Sequence, residues 1–65
     1  MKELVLIKNQ LKAELARQKY AKDAWEKSYK KTKYRSYLEQ VHYVSGIIKG
    51  LEKSIKLIEN RIGEN

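Results

Sequence analysis

Nine apolar residues from Tyr34 to Ile62 succeed one another at spacings that alternate strictly between three and four: Tyr34, Tyr37, Val41, Val44, Ile48, Leu51, Ile55, Ile58 and Ile62. That alternation puts every member on one face of an α-helix, with 34, 41, 48, 55 and 62 at the a positions of a heptad and 37, 44, 51 and 58 at d. Gly46 and Gly50 fall at outward f and c positions, so they lower helix propensity without interrupting the seam. Gly63, just after Arg61, suits a C-terminal cap. The second half of the chain therefore reads as one helix ending near residue 62.

The first half carries a second stripe near the 3.6-residue period: Leu4, Ile7, Leu11, Leu15, Gln18, Lys22, Trp25 and Tyr29. It is apolar at both ends and polar at Gln18 and Lys22, so its middle is a weak core. Continued past Tyr29, it lands on Lys33 and Ser36, whereas the other stripe starts at Tyr34. The mismatch is about 100 to 140° around a helical wheel. A phase slip inside a polar run marks a turn that uses neither Gly nor Pro, and Ser36 with Glu39 forms a capping-box pattern at the same place.

The expected fold is all-α: a two-helix antiparallel hairpin forming a single domain over 1–65, with helix one at about 2–30, a turn within 30–36 and helix two at about 36–62. The alternative is a single long helix in a coiled coil with a local stutter. A chain of 65 residues is at the lower edge of what folds alone, and one with no Cys and one His has neither a disulfide framework nor a multi-His zinc site to support it. Self-association is the remaining route. Helix two adds Tyr43, Ile47 and Leu57 beside its seam, which widens the apolar face toward a second partner. The expectation is a homodimer closing into a four-helix bundle, associated through Val41, Val44, Ile48, Leu51, Ile55, Ile58 and Ile62.

Charge is unevenly placed. Of the net +7, the block from Arg17 to Arg35 holds +6, with eight bases against Asp23 and Glu26. Tyr20, Trp25, Tyr29 and Tyr34 are interleaved with it. Lysine and arginine neutralise phosphates, and aromatic rings stack on unpaired bases, so the block suits nucleic acid or an acidic partner. The candidate contacts are Arg17, Lys27, Lys30, Lys31, Lys33, Arg35 and Tyr20. The same residues also have a structural explanation: lysines at the end of helix one favour its dipole, and Trp25, Tyr29, Tyr34 and Tyr37 lie on the two stripes, which places their rings in the core. Twelve Lys against three Arg argues against bidentate reading of guanine edges, and no zinc-finger or ribonucleoprotein signature is present.

The sequence thus points to a small cytoplasmic regulatory protein that binds nucleic acid through a basic hairpin end. A regulator or inhibitor that docks a helix face on a host or acidic protein partner, through Tyr43, Ile47 and Leu57, is the alternative. No catalytic residue, cofactor or metal is expected: His42 sits alone at a b position, and no glycine loop or nucleophile context accompanies the serines. The run Leu4 to Ile7 is too short to span a membrane.

Overall fold

A computed structural model describes residues 2–63. Two helices account for nearly all of them, α1 at Lys2–Thr32 and α2 at Arg35–Arg61. They pack side by side and antiparallel, Lys12 meeting Glu59 at 3.4 Å and Lys19 meeting Glu52 at 3.8 Å. The long-helix alternative is thereby excluded. The result is a rod of 46 × 15 × 14 Å. Its length is set by α1, whose 31 residues span about 46 Å at 1.5 Å each.

The core follows the α2 seam. Val41, Val44, Ile48 and Ile55 are buried, and Tyr37, Leu51, Ile58 and Ile62 are half-buried. These side chains pack against α1 within the same chain, so the seam closes the hairpin itself.

The facing stripe of α1 differs from the expected one at one position. Ile7 is 44% exposed and Lys8 is 7% exposed, the reverse of what their hydropathy suggests. The reason is geometric: Leu4, Lys8, Leu11, Leu15, Gln18, Lys22, Trp25 and Tyr29 keep the alternation of four and three that matches the α2 seam, and Ile7 does not. Interlocking with a straight apolar seam selects that set. A lysine there lays its methylenes along apolar surface. Gln18 donates to Glu14 Oε2 at 2.8 Å, and Arg17 Nε donates to Glu14 Oε1 at 2.8 Å. The Gln18 hydrogen bond, followed by those from Arg17 and its charge, holds the Glu14 carboxyl below its ordinary pKa. A lowered carboxylate pKa favours the folded state above the ordinary value, and that contribution is lost as pH falls through the lowered one.

Two residues make the connection. Lys33 takes the left-handed conformation, φ 62°, and its N–H bonds the Tyr29 carbonyl at 2.7 Å. This is the αL ending usually given to Gly or Asn. Thr32 ties the bend: its hydroxyl donates to the Ser28 carbonyl at 2.9 Å and accepts from the Tyr34 N–H at 3.3 Å. Tyr34, in extended conformation, is the N-cap of α2 and makes no side-chain cap bond. The Ser36 and Glu39 capping box is therefore not formed. Helix α2 begins one residue ahead of Ser36, and Glu39 instead lies 3.7 Å from Arg35 on the same helix. At the far end, Gly63 has φ 79° and its N–H bonds the Asn60 carbonyl at 3.3 Å, a glycine terminus for α2.

Candidate nucleic-acid interface

The bend gathers the basic block at one tip of the rod. Lys30 and Lys31 stand in the last turn of α1, Lys33 is in the connection, and Arg35 opens α2. All four are exposed. Among the described residues no carboxylate lies within ion-pair distance of Lys30, Lys31 or Lys33, and Arg35 has only its long contact to Glu39. The first turn of α2 contains no acid; the positive end of its dipole lies beside the negative end of α1's, so the charge of the tip is that of its side chains. Lys33 Nζ sits 5.3 Å from the centre of the Tyr29 ring, a cation–π contact that holds the ammonium beside the bend.

Three aromatic rings form a short ladder up to this tip. Trp25 and Tyr37 stack at 5.7 Å and Tyr37 and Tyr34 at 6.0 Å, with interplanar angles of 30° and 24°. Trp25 and Tyr37 are half-buried, but Tyr34 is 63% exposed, against its expected place in the core. As the N-cap it stands outside the helical phase that carries Tyr37 and Val41 inward. Its ring stacks on that of Tyr37, and its neighbours in the chain are Lys33 and Arg35.

The remaining candidates lie elsewhere. Lys27 pairs with Asp23 at 3.2 Å. Arg17 and Tyr20, both exposed, are about 22 and 18 Å back along α1 from its end, at 1.5 Å per residue. Two groupings come from the pairing of the helices. An open groove of about 290 Å³ beside the tip is lined by Tyr29, Lys33, Arg35, Leu38, Glu39 and His42, and another of about 370 Å³ midway brings Lys49 of α2 beside Lys19 and Lys22 of α1. Nothing in the sequence signals that second cluster, because Lys22 and Lys49 are 27 residues apart and meet only through the antiparallel pairing.

No group of three or more potential metal-ligating side chains occurs among the described residues, and no described helix is long and apolar enough to cross a membrane. Fold and surface together define an antiparallel helical hairpin with a basic, aromatic tip. Comparison with protein-family models, curated proteins and solved structures finds no match.

Proposed function

We propose that this chain is a small, non-enzymatic regulatory protein that binds nucleic acid through the tip of its hairpin and works as a homodimer closing a four-helix bundle. The observation that carries the reading is the tip itself, where exposed Lys30, Lys31, Lys33 and Arg35 share the bend with Tyr34, a residue 63% exposed whose ring stacks on that of Tyr37. The cations neutralise phosphates and release counterions, and the ring of exposed Tyr34 accepts an unpaired base. The favoured ligand is single-stranded or looped nucleic acid, since bases locked in a duplex offer no face to stack.

A salt titration of binding to RNA, single-stranded DNA and duplex DNA tests this. About four phosphate contacts give a slope of log K against log salt near −3 for a single strand. The triple variant Lys30→Glu, Lys31→Glu, Lys33→Glu is expected to abolish binding. Tyr34→Ala is expected to weaken single-strand binding about 10-fold with the slope unchanged, in line with a lost stack of about 1–3 kcal/mol. Absence of binding to all three at low salt removes the proposal.

The second reading, a regulator docking a helix face on a larger protein, draws on the exposure of Tyr43 and Leu57, 68% and 57%, with Ile47 between them. It requires that face to stay open in the functional state.

A further inference from the structure

The exposed side of α2 carries a second seam. Tyr43, Ile47, Gly50, Ser54, Leu57 and Arg61 again alternate four and three, on a face adjacent to the one packed against α1. All but Ile47 are exposed. We propose that this seam, and not the buried one, is where a second copy of the chain docks, with the two α2 helices antiparallel about a two-fold axis near residue 52. The inference rests on the reading that the chain self-associates, and is independent of whether it binds nucleic acid.

The area supports a second copy. A compact monomer of 7.7 kDa exposes about 4,300 Å². This hairpin exposes 5219 Å². The excess of about 900 Å² is close to the roughly 800 Å² that one partner contributes to a standard interface. The core seam is already covered by α1, so the area must come from another face.

The order of side chains along the seam suits self-pairing. A two-fold interface demands that if one residue meets another, the reverse also holds. Antiparallel alignment about residue 52 sets Ile47 against the partner's Leu57, Gly50 against the partner's Ser54, and Tyr43 against the partner's Arg61, each pair occurring twice. Apolar meets apolar, small meets small at the centre, and an aromatic ring meets a guanidinium at each end. A Cβ built on Gly46 or Gly50 would meet nothing within 4 Å, so packing within the hairpin gives no reason for either glycine. Their bareness leaves room for a second helix backbone to approach closely. Half-buried Leu51 and Ile58 lie between the two seams and would complete the bundle core. Lys53 faces its own symmetry mate at the rim, where water and salt screen the repulsion.

Charge selects the orientation. A parallel dimer would bring the two basic tips together, whereas the antiparallel register separates them by about 54 Å at 1.5 Å per residue. That is several times the Debye length of about 10 Å. Because the axis lies past the middle of α2, both tips project beyond the overlap and stay accessible.

Sedimentation of the full chain over a concentration series, with disulfide trapping, tests the proposal. Wild type is expected to dimerise, and the Ile47→Asp, Leu57→Asp double variant to weaken the dimer at least about 100-fold, as for loss of central interface anchors. Should that variant lose its helical circular dichroism, Leu57→Asp alone probes the same face from an exposed position. For the register, Gly50→Cys and Ser54→Cys chains are mixed and oxidised with glutathione disulfide; the disulfide joining unlike chains is expected to exceed those joining like chains. A monomer throughout the series overturns this face and the self-association it rests on. A dimer unaffected by Leu57→Asp, or one trapped through like positions, overturns the face or the orientation while self-association stands.

Discussion

Helices α1 and α2 lie against each other on the same alternation of three and four, yet one is filled with aliphatic residues and the other is not. The α2 seam from Val41 to Ile62 is wholly aliphatic and supplies all four buried apolar residues; α1 opposes it with Lys8, Gln18 and Lys22 among eight positions, and its one buried residue is Lys8. The difference teaches that a hairpin needs only one strongly specified face. A straight apolar seam dictates which residues of its neighbour point inward, and it selects Lys8 over Ile7 because register outweighs hydropathy at a single site. The cost is a thin core, with Ile7 displaced to the surface, where Leu6 and Leu57 also lie.

The largest expected effect comes from truncating the dominant helix. Ile48→Ala should destabilise the hairpin by about 2–4 kcal/mol, enough to unfold much of a domain this small. Leu15→Ala, at a half-buried site on α1, should cost less than half as much in urea denaturation at fixed protein concentration. Equal losses would break the asymmetry. The next largest effect repairs the weaker face: Lys22, half-buried with no carboxylate in reach among the described residues, should when changed to Leu stabilise the fold by about 1 kcal/mol, seen as a higher melting temperature. No gain would mean that the polar middle of α1 does not limit stability.

The smallest change addresses the joint between the two. Lys33 holds φ 62° at some conformational expense, so Lys33→Gly should add up to about 1 kcal/mol. On the proposed function the same change weakens polyanion binding several-fold by removing one phosphate contact. A variant that is more stable but binds less separates the two roles of the residue.

Much of this is legible in the sequence. The α2 seam, the slip of phase between the stripes, the hairpin and the glycine terminus at Gly63 all follow from periods within one helix or from local capping chemistry. The exceptions share a cause. Hydropathy points Ile7 inward, and a loosely patterned helix carries no second signal that would favour position 8. Tyr34 continues the heptad and so reads as core, but a residue that caps a helix no longer shares its phase. Ser36 and Glu39 spell a capping box, yet the Thr32 hydroxyl and the left-handed Lys33 start α2 one residue earlier.

By itself the sequence determined that the chain is helical, that one face from Val41 to Ile62 must be buried, and that its charge is concentrated around the bend, since helical period and composition are properties of neighbouring residues. Only the tertiary structure decided that Lys8 turns inward, that Lys22 and Lys49 share a groove, and that Tyr34 stands exposed at the end of a stacked ladder beside Lys33 and Arg35. Each of those depends on which surface faces which across two antiparallel helices. That alignment is set by the interlocking of whole seams, and no stretch of either helix contains it.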